Sequence, residues 1–391
     1  MPADGSLPPE AVAELSEASF GVYVHVPFCR TRCGYCDFNT YTPSELTGMS
    51  PQDYRTALLA ELELADRVLG EQRPRVSTVF FGGGTPTMLP AAELVGLLDA
   101  LRERFGLAED AEITTEANPE TVDRAYLAEL RAGGFTRVSL GMQSVVPHVL
   151  ATLERSHTPG RGLEVAHWAA EAGFEHISLD LIFGAPGESE ADWQASLDAV
   201  AVTPVDHVSA YSLIVEEGTR LALKVRRGEI AMPDEDDLAT KYLMAEEFLT
   251  GHGFTNYETS NWARPGGECR HNLAYWRGGN WWGFGPGAHS HVSGVRFWNR
   301  RHPRSHAAEL AAGRSPAQAR ELLGATARRL ERIMLELRLA EGLPWEVLDA
   351  AEQERAAEVV AEGLAERRGD RLVLTLRGRL LADGVVLRLL G

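Results

Sequence analysis

The chain has 391 residues, 44% of them hydrophobic, and a net charge of −18, with 38 Lys and Arg against 56 Asp and Glu. This length suits one barrel-sized domain plus a smaller one, with enough apolar residues to bury a sizeable core. The acidity disfavours a broad nucleic-acid footprint and tight adsorption to anionic lipid, which both need clustered cations, and no run of about 20 apolar residues is present to span a bilayer.

Residues 1–19 are rich in Pro, Ala and Glu and lack the basic and apolar stretches of a secretory signal. They are expected to form a disordered lead-in. From 20 to 260, β-rich runs at 21–26, 76–81, 112–117, 137–142, 176–183 and 207–213 alternate with amphipathic runs at 53–69, 91–105, 123–132, 162–172 and 191–200. This alternation predicts an α/β fold with a parallel sheet and right-handed crossovers. Six such units predict a partial (β/α)6 barrel; periodicity alone leaves an open doubly wound sheet as the alternative. Gly133, Gly134 and Gly173 each precede a strand, as helix caps do. The acidic run from Asp234 to Asp237 reads as the start of a helix, in preference to a metal site. Residues 261–314 form an aromatic and His-rich connecting segment: five of the eight tryptophans fall between Trp262 and Trp298, with His271, His289 and His291. Residues 315–391 read as helix, helix and two β-like runs around Gly378. That order predicts a small C-terminal α+β winged-helix-like domain, with a structural role.

Three of the four cysteines fall within eight residues, Cys29, Cys33 and Cys36, and the fourth is Cys269. Local clustering points to a metal site in a reducing, cytoplasmic setting, not to a disulfide framework. The spacing Cys-x3-Cys-x2-Cys can bind three irons of a [4Fe-4S] cube and leave the fourth iron open. An open iron can chelate the amino and carboxylate groups of S-adenosylmethionine (SAM). One-electron transfer into the sulfonium then gives a 5′-deoxyadenosyl radical. The alternatives are a zinc site, which would take a fourth ligand from Cys269, His25 or Asp37, or unrelated thiols.

Other polar motifs follow or end strands, where parallel barrels place their chemistry. Gly82, Gly83, Gly84 and Thr85 let backbone approach a ligand closely, or simply form a tight turn. Glu116 can accept both hydroxyls of a ribose, or form a rim ion pair. Asp180 lies in an apolar run and needs a partner, for which Arg155 is the candidate. His25 reads as a satisfied rim histidine.

Pro27 and Phe28 before the triad, and Tyr35, Asp37 and Phe38 within and after it, resemble the oxygen-independent coproporphyrinogen III oxidase family of radical SAM proteins. The resemblance covers roughly residues 20–390. It implies a radical SAM barrel in which Gly83, Gly84 and Thr85 meet the amino group of SAM. It also implies SAM contacts at Tyr23, Tyr35, Glu116, Gln143, Arg155, Asp180 and, through its backbone, Leu213. Oxidases of that family have a further cysteine two residues after the triad; here the position is Phe38. That departure puts oxidase activity in doubt and points to a sister branch of heme chaperones.

The segment from Cys269 to Trp276 contains His-Asn-x-x-Tyr-Trp. His271 or Cys269 could ligate heme iron, with Tyr275, Trp276, Trp281 and Trp282 as walls, and His289 as a rival ligand. The plainer reading is that these aromatics pack a seam between barrel and tail. The resemblance implies heme binding there. The expected function is therefore a heme chaperone in the cytoplasm that passes heme to membrane-associated acceptor proteins, touching the membrane only through such a partner, with SAM and a cluster bound and a homodimer forming on cluster assembly. The other readings are a coproporphyrinogen III dehydrogenase and a radical SAM enzyme with another substrate.

Overall fold

A computed structural model describes residues 1–15, 19–46, 49–71, 73–155 and 157–391. Six strands, β1 (Phe20–Val26), β2 (Val76–Gly83), β3 (Leu107–Ala117), β4 (Arg137–Gln143), β5 (His176–Phe183) and β6 (His207–Ser212), pair in that order and all in parallel. Helices α1 (Pro9–Leu15), α2 (Pro51–Leu69), α3 (Ala91–Phe105), α4 (Arg124–Ala132), α5 (Pro147–Thr152), α6 (Arg161–Glu171), α7 (Glu190–Ala201), α8 (Arg220–Arg226) and α9 (Glu235–Gly251) precede, join or follow them. A doubly wound sheet reverses its strand order; this one does not, so the partial barrel is the observed arrangement.

Local chemistry sets the helix starts. Ser50 and Ser189 cap α2 and α7 in capping boxes with Asp53 and Asp192. Asp234 caps α9, and Asp237 pairs with Lys241 one turn on, so the acidic run is indeed a helix start.

The strands alternate along most of their length, with irregularities at the start of β1 and β2 and the end of β4. Val22, Val24, Val79, Phe81, Ile113, Val138, Leu140, Leu179, Leu181 and Val208 are buried in one apolar core with the helices. The other faces of β3 to β6 turn inward and carry Thr114, Glu116, Arg137, Ser139, Ser178, Asp180, His207 and Ser209. Small polar residues leave space where bulky aliphatics usually fill a barrel, and a cavity of about 1440 Å³ results.

The sheet does not stop at residue 260. Strands β7 (Thr255–Glu258) and β8 (Asn261–Ala263) form a hairpin on β6. After α10 (Arg270–Trp276), β9 (Asn280–Phe284) pairs in parallel with the free edge of β1, and β10 (His289–Val292), β11 (Val295–Asn299) and β12 (Ala317–Leu322) continue antiparallel around α11 (Pro303–Ala311). The connecting segment thus adds strands to the sheet, which among the described residues has twelve, in the order β12-β11-β10-β9-β1-β2-β3-β4-β5-β6-β8-β7.

The C-terminal α+β domain has its own core. It contains α12 (Ala325–Glu336), β13 (Leu343–Pro344), α13 (Ala350–Ala361), β14 (Ala365–Arg368), β15 (Arg371–Leu374), α14 (Leu376–Leu380) and α15 (Ala382–Leu390), with an antiparallel sheet ordered β13-β15-β14. Two expectations are corrected. The β-like runs lie before Gly378, not around it. Gly378 sits in α14, where a Cβ would stand 1.8 Å from the Leu364 carbonyl oxygen, and the apolar stretch beyond it is helical. The first fifteen residues are also ordered: Leu7, Ala11 and Leu15 are buried in the main core, and Ser315 N–H donates to the Ala3 carbonyl (2.7 Å). Leu7 before α1, and Ala11 and Leu15 within it, make a packing face that composition concealed. Residues 16–18 of that expected lead-in lie outside the described residues.

Candidate cofactor site

The cysteine loop leaves the C-terminal end of β1 and packs on the glycine turn after β2. Gly84 N–H donates to the Val26 carbonyl and Thr85 N–H to the Phe28 carbonyl, both at 2.8 Å. A Cβ on Gly84 would sit 2.6 Å from that Phe28 oxygen, and Gly83 has φ +112°, so both positions require glycine. Cys29 Sγ lies 3.9 Å from Thr85 Oγ1. Arg155 donates through Nη1 to Cys33 Sγ (3.3 Å), through Nη2 to the Gly141 carbonyl (3.0 Å) and through Nε to His157 Nε2 (2.8 Å). Burial raises the Cys29 thiol and pushes Cys36 up to about 11, so metal binding displaces protons. Among the described residues no three His, Cys, Asp or Glu side chains gather tightly enough for a single metal ion. A cube of irons holds its thiolates apart and does not need that gathering.

Two further segments clamp the loop, and sequence reasoning missed them. Gly34 N–H donates to the Leu153 carbonyl (3.1 Å), and Leu221 N–H donates to the Gly34 carbonyl (2.8 Å). Glu154, at φ 52°, packs on Gly34 and pairs with Arg220 (3.0 Å) and Lys224 (2.7 Å) of α8. No residue-type signal marks Glu154 beyond its place beside Arg155.

Around this loop the cavity brings together Tyr23, Tyr35, Gly83, Gly84, Thr85, Glu116, Gln143, Arg155, Asp180 and Leu213. Glu116 Oε2 accepts from Gly83 N–H (3.0 Å); burial, then the nearby Asp180, raises its carboxyl to about 8. Gln143 ends β4 at φ 67°, a conformation that stores strain in a non-glycine residue. Leu213 N–H is taken by the Phe183 carbonyl (2.9 Å). The expected Asp180–Arg155 pairing is corrected. Asp180 accepts from Ser139 Oγ with both oxygens (3.0 and 2.9 Å), while Arg155 is drawn to Cys33 and acts on Asp180 only at longer range. Tyr23 Oη meets His25 Nδ1 (3.0 Å) and His25 Nε2 meets the Asn39 carbonyl (2.9 Å), so His25 is satisfied.

The heme candidates are dispersed. Helix α10 lies against the strand starts and forms the cavity floor: Cys269, His271 and Tyr275 line it, while Trp276, Trp281, Trp282 and His289 do not. His271 is 1% exposed; Thr78 Oγ1 meets its Nδ1 and Tyr275 Oη its Nε2, both at 2.8 Å, and burial lowers it to about 4. The Cys269 thiol points to Glu112 Oε1 (3.6 Å), and burial raises it. Trp276 hydrogen-bonds Glu258. Trp282 packs edge-on against Phe297, and exposed His289 stacks on Trp298. The tryptophans thus serve sheet packing, and a four-residue heme wall does not form on one surface.

The sequence matches the Radical SAM superfamily over residues 23–200. It is 56% identical over 380 residues to the heme chaperone HemW of Mycobacterium tuberculosis, covering 97% of each chain. The chain belongs to the HemW heme chaperone family. HemW of Escherichia coli is 36% identical over 330 residues, covering 83% of each chain. The coproporphyrinogen III oxidase HemN from E. coli, a radical SAM enzyme, superposes with TM-score 0.82 at 24% identity, over 97% of this chain and 92% of that one; the two share a fold. The match to the Radical SAM superfamily implies a [4Fe-4S] cluster and SAM, and three thiols beside a backbone-lined turn fit both.

Proposed function

We propose that this chain is a heme chaperone that holds heme and transfers it to acceptor proteins, with a SAM-binding cluster built into its barrel. The observation that carries the reading is identity to HemW along nearly the whole chain. Cys29, Cys33 and Cys36 hold three irons. Gly83, Gly84 and Thr85 receive the amino group of SAM, and Glu116 its ribose, with Tyr23, Tyr35, Gln143, Arg155, Asp180 and Leu213 around them. When bound, the cluster supplies one-electron chemistry to SAM. Phe38, 60% exposed at the cavity rim, stands where an oxidase has its extra cysteine and argues against porphyrinogen oxidation.

His271 is the favoured heme ligand, through Nε2, with the Tyr275 hydroxyl displaced. The acceptor is read as membrane-associated and the chain as cytoplasmic, reaching the membrane through its partner; among the described residues no helix is long and apolar enough to cross a bilayer. Homodimer formation on cluster loading is read out by size-exclusion chromatography.

The test is anaerobic. Reconstituted protein receives SAM, a reductant and coproporphyrinogen, with heme titrated in parallel. Stoichiometric heme binding without protoporphyrinogen is expected, and porphyrinogen turnover would sink the reading. Tyr275→Phe frees His271 Nε2 of its hydrogen bond and is expected to tighten heme binding a fewfold. His271→Ala is expected to abolish it, whereas Cys29→Ala leaves it intact.

A further inference from the structure

The deep end of the barrel holds a group of polar atoms that the cofactor site does not use. Arg137 opens β4, and its Nε and Nη2 bind Glu112 Oε2 at 3.1 and 3.0 Å, while Nη2 also donates to the Glu268 carbonyl (3.1 Å). Glu112 is saturated: it also accepts the N–H groups of Arg270 (3.2 Å) and His271 (3.1 Å) at the start of α10. Arg137 Nη1 is left buried without a partner. So is Thr114 Oγ1, whose residue pairs with Arg137 across β3 and β4. So is Nδ1 of His207, the first residue of β6, whose Nε2 meets Tyr257 Oη at 2.9 Å. All three residues line the cavity and none is more than 2% exposed. Buried polar groups without partners are costly, and three on β3, β4 and β6 facing one space form a receptor for an acceptor group.

We infer that Arg137 Nη1, His207 Nδ1 and Thr114 Oγ1 form a carboxylate-binding subsite at the barrel floor, filled by a ligand that enters past the cysteine loop. Cys269 N–H donates to Tyr257 Oη (3.4 Å), so the tyrosine proton is free to go to His207 Nε2, and His207 then carries its own proton on Nδ1, toward the cavity. The subsite offers two N–H donors and a hydroxyl, a set that matches the lone pairs of a carboxylate. Burial keeps Glu116 and Asp180, higher in the barrel, toward their neutral forms, which limits repulsion of an entering anion. The carboxylate has two chemical sources: a propionate of heme, or a free small carboxylic acid.

The experiment uses cluster-loaded full-length protein and the variants Thr114→Val and Thr114→Ser. Heme, heme dimethyl ester and butyrate are the probes. The valine is isosteric and removes a hydroxyl that has no partner in the free protein, so its melting temperature is expected to stay level or rise. A fall would reveal an existing partner for Thr114 and overturn the inference. Wild-type protein is expected to bind heme about tenfold more tightly than the ester, with that preference lost in Thr114→Val and restored in Thr114→Ser. Loss of butyrate affinity alone, about tenfold in the valine variant, assigns the subsite to a free acid and also supports it. If no variant binds heme, the heme-carrier reading fails and the butyrate arm still decides the subsite. Unchanged affinities for all three probes in Thr114→Val overturn it.

Discussion

Glu116 folds with its carboxyl raised to about 8, chiefly because burial disfavours the charge and then because Asp180 is near. A raised acid contributes stability that is present below its unfolded value of 4.5 and is lost as pH rises through 8. Wild type is therefore expected to lose about 1–3 kcal/mol relative to Glu116→Gln between pH 5 and pH 9, a range that discounts for the side chain facing an open cavity. Thermal melts of both proteins across that range check it; parallel curves would refute it. SAM affinity should move the other way and rise above pH 8 in wild type, because the ionised carboxylate accepts ribose hydroxyls more strongly, while the glutamine variant stays flat. At this scale the sequence was most legible where a residue's type alone dictates its chemistry: the cysteines, the glycine turn and the strand-end acid. Partner choice was not legible. Asp180 found serines and Arg155 found a thiol, because those pairings depend on strands and turns far apart in the chain.

The cysteine loop is held as an element, not residue by residue. Leu153, Glu154 and α8 tie it to two neighbouring segments through backbone bonds at Gly34 and the ion pairs of Glu154. Those pairs are partly exposed, so each is worth no more than about 1 kcal/mol to global stability. Their effect falls on the loop. Glu154→Ala is expected to keep the wild-type melting temperature within about 2 °C while its cluster absorbance decays several times faster in air. Equal decay rates would show that the clamp is irrelevant to cluster retention. The parallel strands and their helices were readable from alternation because both faces of each strand obey period two. The short strands of 255–299 were not. Their glycines and tryptophans resemble a linker or a ligand pocket until the edges of β1 and β6 are seen to need covering.

The whole molecule is a sheet extended at both edges, with a lid of helix under the barrel and a separately cored C-terminal domain. Arg379 bonds Glu246 of α9 through both Nη atoms, and Ala340 N–H donates to the Tyr257 carbonyl (3.0 Å), which ties that domain to the floor region. At the other end, the first fifteen residues fill part of the main core. Their removal exposes the surface around Leu7, Ala11 and Leu15 and is expected to lower the melting temperature by several degrees, from about 3–6 kcal/mol of lost burial. Calorimetry of the truncated chain against the full chain measures this, and an unchanged midpoint would mean that α1 is only draped on the surface. The pairing of β1 with β9 has a consequence in time. Tyr23 lies opposite Gly283, some 260 residues later in synthesis. A ribosome therefore exposes the cysteine loop on a strand with one open edge for most of translation, until β9, at residues 280–284 of 391, closes it. Iron delivered before that point would meet an unfinished scaffold, so cluster insertion is expected only after β9 has joined β1.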